Sequence, residues 1–94
     1  MNIELTLIGK PGCHLCEDAE LAIKRVLASF LASNPSVSVS ITQHNILDDA
    51  ELASRYSEEI PVLLINGKVH NYWRIDEERF TGALNDLVAQ ATKE

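Results

Sequence analysis

The sequence predicts an α/β domain in which a four-stranded mixed sheet is covered by three helices, in the order β-α-β-α-β-β-α. Apolar residues alternate or run continuously in four short stretches, as they do in strands, and recur at helical spacing in three other stretches. A long helix between the first two strands is typical of a right-handed crossover, which makes these strands parallel. A tight turn between the last two strands makes that pair antiparallel.

The first strand and the first helix are joined by a short turn. Residues 3–8 alternate at first and then become continuously apolar, which is typical of a strand buried on both faces. Residues 9–12 follow as a turn, because Pro11 fits neither a helix interior nor a strand ladder. From Leu15 onward the apolar residues define one broad helical face, and the helix is expected to end before Pro35.

The middle of the chain predicts a second strand and a short helix. Residues 37–41 alternate strictly between apolar and polar, which indicates a strand with one solvent-exposed face. Asp48 has the position of an N-cap for a short helix over about residues 49–56. Leu47 and Leu52 are spaced as the hydrophobic staple that often accompanies such a cap.

The last third of the chain predicts a hairpin followed by a helix. Residues 60–65 form a short apolar strand with Pro61 at its entrance, a position that tolerates proline. Residues 66–67 are Asn-Gly, the strongest short signal for a hairpin turn, and residues 68–73 form the returning strand. Asp76 is expected to cap the final helix, whose apolar residues form an unbroken stripe.

Length and composition restrict the class of protein. Residues 1–94 are too few for a second hydrophobic core, so we expect one domain. The net charge of −6 gives little attraction to phosphate backbones, and we expect no nucleic-acid partner. The sequence has neither an apolar run long enough to span a bilayer nor the features of a signal peptide. We therefore expect no membrane association and a cytoplasmic location.

Two closely spaced cysteines provide the chemistry that the sequence suggests. Cys13 is expected at or just before the first helical turn, where unpaired backbone N–H groups and the helix dipole favour an anion such as a thiolate. Lys10 brings a positive charge to the same place, and cysteines in such surroundings have pKa values of roughly 3.5–7.5. Cys16 follows nearly one turn later, so the two sulfurs can face each other. Thiol–disulfide exchange requires a thiol of low pKa and a second thiol within its reach.

The motif Gly-Lys-Pro-Gly-Cys-His-Leu-Cys at residues 9–16, together with the proline that opens the third strand, resembles the thioredoxin superfamily. Within that superfamily the chain is most similar to a small glutaredoxin-like protein, and the likeness covers nearly the whole chain. The resemblance implies that Cys13 is the nucleophile and that Cys16 resolves the mixed disulfide. It also implies that no bound cofactor is needed, because both electrons travel through sulfur.

The resemblance also implies residues that bind the substrate. The Ile60–Pro61 bond is expected to be cis, which turns the backbone of Ile60 toward the cysteines and offers it to an extended substrate. Lys10 matches the basic residue that binds a carboxylate of glutathione in glutaredoxins. The glycine pair that lets glutathione approach the backbone is absent, and Asn71-Tyr72 occupies about that position. Glutathione as co-substrate and a thioredoxin-type reductase therefore both stay open as electron donors.

The sequence thus predicts a thiol–disulfide oxidoreductase that acts on protein or low-molecular-weight disulfides. One alternative is an iron–sulfur cluster or metal carrier that uses Cys13 and Cys16. The three histidines do not repeat the paired spacing of a zinc motif, so we expect no metal site within one chain. Another alternative is a redox-silent binding adaptor on the same fold. His14 either stabilises the Cys13 thiolate when protonated or is a solvated residue of the first turn.

Overall fold

The computed structural model describes residues 1–92, and this part of the chain has the predicted order of strands and helices. The strands are β1 (Asn2–Gly9), β2 (Ser38–Asn45), β3 (Val62–Ile65) and β4 (Lys68–Tyr72), and the helices are α1 (His14–Ser33), α2 (Ala50–Tyr56) and α3 (Glu77–Thr92). The strands lie in the order β2-β1-β3-β4. β1 is parallel to β2 and antiparallel to β3, and β3 is antiparallel to β4. The predicted mixed sheet is confirmed.

The larger hydrophobic core lies between the sheet and helices α1 and α3. Because side chains alternate across a strand, the odd-numbered residues of β1 face this core. Leu5, Leu63 and Phe80 are among its fully buried side chains. The amphipathic stripes of α1 and α3 therefore cover the same face of the sheet.

A smaller cluster lies on the opposite face of the sheet, where α2 packs. Ile8 and Val62 contribute to it from the ends of β1 and β3 that lie closest to the cysteines. Cys13 and Cys16 pack against this cluster, as does Tyr56 of α2. The cysteine pair thus lies at the carboxyl end of the central strand, the edge at which α/β proteins commonly place their sites.

The predicted cap of α2 is wrong by one residue. Asp49 is the N-cap, and its carboxylate accepts hydrogen bonds from two backbone N–H groups of the first turn, at 3.0 and 3.2 Å. The side chain of Asn45 accepts from the N–H of Leu47 at 2.8 Å and begins a 3₁₀ turn that contains Asp48. Leu47 is 71% exposed, so the predicted staple with Leu52 does not form.

The hairpin and the cap of α3 are confirmed. Asn66 and Gly67 have φ values of 50° and 82°, as a type I′ turn requires. Asp76 accepts a hydrogen bond from the N–H of Arg79 at 3.1 Å, which caps α3. No helix in residues 1–92 combines the length and the apolar character that a membrane crossing needs.

Candidate functional site

The first cysteine lies at the start of α1, as its place in the sequence predicts. Gly12 precedes it with a φ of 75°, a left-handed conformation that glycine adopts without strain. Cys13 is the N-cap, in extended conformation, and its sulfur accepts a hydrogen bond from the N–H of Cys16 at 3.2 Å. The carbonyl of Cys13 accepts from the N–H of Glu17 at 3.1 Å. The sulfur therefore replaces the side-chain oxygen of an ordinary cap and receives a donor that suits a negative charge.

The second cysteine is held as a thiol. Burial and then a hydrogen bond with the Cys13 side chain raise the pKa of Cys16 from 9.0 to about 11. A backbone hydrogen bond from Lys10 and the charge of its side chain act in the opposite direction. Cys16 therefore keeps its proton at neutral pH.

Gly9 is a residue whose importance the sequence interpretation missed. It was expected to belong to the turn, but it is the last residue of β1. A Cβ atom at this position would lie 2.8 Å from the sulfur of Cys16. A glycine at the end of a buried strand is a signal of close approach by another group, so the pattern was available in the sequence.

An open cleft of about 380 Å³ lies beside Cys16, between the start of α1 and the end of β2. Lys10, Gln43 and His44 are among its lining residues, and Gly9 and Leu7 also contribute. Sequence reasoning did not predict this cleft, because it depends on which strand lies next to β1.

The loop before β3 reaches the same cluster as the cysteines. The Ile60–Pro61 peptide bond is cis, Pro61 is fully buried, and its carbonyl accepts from the N–H of Trp73 at 2.7 Å. Ile60 packs in the cluster that contacts Cys13 and Cys16. Of the residues predicted for the site, Ile60 therefore belongs to the cluster against which the two cysteines pack, and Pro61 follows it in the chain.

Lys10 and His14 stand at the outer side of the motif. Lys10 is exposed and lines the cleft beside Cys16. The side chain of His14 is 95% exposed, and its Nδ1 lies 3.6 Å from a carboxylate oxygen of Glu17. Of the two alternatives for His14, the structure favours the solvated residue of the first turn.

Trp73 directly follows the last residue of β4. Its φ is 63°, a conformation that few residues other than glycine adopt. The indole N–H donates to the carbonyl of Glu58 at 3.0 Å, and the ring packs at an angle to that of Tyr72. The Trp73 side chain is 53% exposed.

In the part of the chain that the structure describes, no three His, Cys, Asp or Glu side chains converge in the way a metal site requires. The two cysteines are free thiols in residues 1–92.

The chain resembles known proteins along most of its length. The family model described as Glutaredoxin-like domain (DUF836) matches residues 4–85. The X-ray structure of target protein XcR50 from X. campestris is 29% identical, covers 87% of this chain and 96% of its own, and has a TM-score of 0.67. The uncharacterized protein Rv0508 of Mycobacterium tuberculosis is 21% identical over 76 residues, which is 81% of this chain and 76% of that protein. The germline-specific thioredoxin Deadhead from Drosophila melanogaster is 17% identical, with a TM-score of 0.56 over 92% of this chain and 81% of its own, and shares the fold.

Proposed function

Because the chain belongs to the glutaredoxin-like domain family of the thioredoxin superfamily, we propose that it is a thiol–disulfide oxidoreductase whose Cys13–Cys16 dithiol reduces or exchanges disulfides. The observation that carries this proposal is the hydrogen bond from the N–H of Cys16 to the sulfur of Cys13, at the start of α1. A donor at a helix start stabilises a thiolate, and the thiolate is the nucleophile in exchange.

In the first step the Cys13 thiolate attacks one sulfur of a substrate disulfide. The substrate S–S bond breaks, a Cys13–substrate disulfide forms, and the other substrate sulfur leaves as a thiolate that takes up a proton. In the second step Cys16 loses its proton and attacks the sulfur of Cys13. The bond from Cys13 to the substrate breaks and the second substrate sulfur leaves. The substrate disulfide is thereby reduced by two electrons, and Cys13 and Cys16 are oxidised to a disulfide.

The raised pKa of Cys16 supports this order of events. With a pKa of about 11, Cys16 is a thiol at neutral pH and does not compete with Cys13 for the substrate. Its proton can pass to the substrate thiolate released in the first step, which makes Cys16 nucleophilic when the mixed disulfide is in place.

The surroundings of the pair support binding of an extended substrate. Ile60 packs with the cysteines, and its N–H and C=O groups lie outside the ladder that begins at Val62. We propose that Ile60 and Pro61 contact the substrate backbone, and that Lys10 attracts a substrate carboxylate. Glutathione or a thioredoxin-type reductase would return the electrons, and we propose that the reaction takes place in the cytoplasm.

Serine variants of the two cysteines test the proposal, with a small disulfide such as 2-hydroxyethyl disulfide as substrate. Cys13→Ser is expected to abolish its reduction, whereas Cys16→Ser should accumulate a mixed disulfide that adds the mass of half a substrate. Ser54→Ala, on the exposed side of α2, is the control and should behave as the unaltered protein. Full activity of Cys13→Ser would overturn the proposal. Metal that copurifies and is lost in Cys13→Ser would favour the carrier, and alkylation of Cys13 no faster than a model thiol would favour the adaptor.

A further inference from the structure

Gly9 contacts the proposed site through the sulfur of Cys16. A Cβ at residue 9 would lie 2.8 Å from that sulfur and 3.3 Å from the Cβ of Cys16. Heavy atoms pack at roughly 3.5–4.0 Å, so a methyl group here requires the sulfur to move by about 1 Å. The observed position of Cys16 therefore depends on the absence of a side chain at residue 9.

Backbone geometry does not explain why this residue is glycine. Gly12 and Gly67 have positive φ values, for which glycine is the usual choice, and Gly9 does not. A Cβ at Gly82 would meet no atom within 4 Å, so that position has space for a side chain. Gly9 is thus distinguished from the other three glycines by its contact with Cys16.

The geometry points to Gly9 as a positioning residue for the resolving step: we infer that the bare backbone at residue 9 holds the sulfur of Cys16 where it can attack Cys13. This inference rests on the proposed function and adds to it a residue of β1 that does not itself react. It concerns the second step alone, because the first step needs Cys13 and the substrate.

Because a cleft lies beside Cys16, we expect a methyl group at residue 9 to move the Cys16 sulfur and to leave the fold intact. Gly9 and Cys16 both line this open space of about 380 Å³, so a displaced sulfur can rotate into it without repacking the core. The hydrogen bond from the backbone of Lys10 to Cys16 and the contact with Cys13 would both change. We therefore expect Gly9→Ala to keep the fold and to lose the alignment of the two sulfurs.

Alignment controls the second step because the new bond must form as the old one breaks. Cys16, once deprotonated, attacks the sulfur of Cys13, the bond from Cys13 to the substrate breaks, and the substrate sulfur leaves and takes up a proton. The pair is oxidised and the substrate is reduced, so atoms and electrons balance. A misplacement of about 1 Å in such a step costs roughly 10²-fold in rate.

The test compares Gly9→Ala with Gly82→Ala, since both add one methyl group and only the first adds it beside Cys16. Rapid mixing with 2-hydroxyethyl disulfide, quenching with acid and intact mass give the rates of formation and decay of the mixed disulfide. We expect Gly9→Ala to leave the formation rate within about twofold and to slow the decay by roughly 10²-fold. Gly82→Ala should change neither rate, and Tm of both variants should show that they are folded.

The outcomes separate this inference from the proposed function. If the unaltered protein forms no mixed disulfide at Cys13, the proposed function itself fails. If it exchanges disulfides and Gly9→Ala resolves them at the unaltered rate, the positioning role of Gly9 is overturned. Equal slowing of both steps would also overturn it, because that result indicates a general structural role. Failure of Gly9→Ala to fold would likewise overturn the inference, because residue 9 would then serve the fold rather than the resolving step.

Discussion

The ionisation of Cys16 gives the sharpest quantitative test of the site. Burial is the largest cause of its raised pKa, and the Cys13 side chain adds to it through a hydrogen bond and through its charge when ionised. Replacing Cys13 with alanine removes both contributions of its side chain. It leaves burial, which raises the pKa, and the backbone and charge of Lys10, which lower it. We therefore expect the pKa of Cys16 in Cys13→Ala to fall below about 11.

The raised pKa of Cys16 also makes the stability of the folded protein depend on pH. Because the pKa of Cys16 rises from 9.0 to about 11 on folding, the folded state holds this proton more tightly than the unfolded chain does. The contribution is present in full below pH 9.0 and is lost as the pH rises through about 11. One pKa unit corresponds to 1.36 kcal/mol, and solvent screening of a half-buried group reduces the total to about 1–2 kcal/mol.

Ultraviolet absorbance of the thiolate measures the ionisation, and urea unfolding across the same pH range measures the stability. The unaltered protein should show one thiol that titrates near pH 11, and Cys16→Ser should lack that step. The loss of stability between pH 9 and 11 should be smaller in Cys16→Ser. A Cys16 thiol that ionises at or below 9.0 in the folded protein would refute the reasoning, as would a higher value in Cys13→Ala.

Three further predictions concern stability. Asp49→Ala should lower the free energy of unfolding by about 1 kcal/mol because it removes the cap of α2, whereas Asp48→Ala should change it little. Equal effects of the two substitutions in urea unfolding would contradict the assigned cap. Leu63→Ala should cost about 2–5 kcal/mol because that side chain is fully buried, while Leu47→Ala at an exposed position should stay within about 0.5 kcal/mol by the same assay. Burial, followed by the charge of a neighbouring arginine, lowers the pKa of His70. The stability of the folded protein should therefore decline as the pH falls below 6.5. In thermal unfolding, the stability of His70→Phe should decline less over that range.

Several features of the fold could be predicted because their causes lie close together in the chain. The Asn66–Gly67 turn needs two residues that accept positive φ, and both are adjacent in the sequence. Asp76 caps α3 through a backbone group three residues away. Cys13 lies at the start of α1 because a turn rich in glycine and proline precedes a helical pattern. In each case the residues within one turn are sufficient to decide the local structure.

The cap of α2 shows where local reasoning stops. Asp48 and Asp49 are both suitable caps by residue type, and the sequence interpretation placed the helix start at the first of them. The choice depends on Asn45, whose side chain bonds to the N–H of Leu47 and begins a separate turn. That bond depends on where β2 ends, which is set by its pairing with β1.

The sequence by itself determined the order of the elements, the mixed sheet and the presence of two thiols at a helix start, because these follow from periodicity, turn residues and spacing. Only the tertiary structure decided that the pKa of the Cys16 thiol is raised, since that shift depends on how this side chain is packed. It also decided that Gly9 faces Cys16 and that a cleft opens beside them. The cleft arises between segments that are distant in the chain, so no local pattern encodes it.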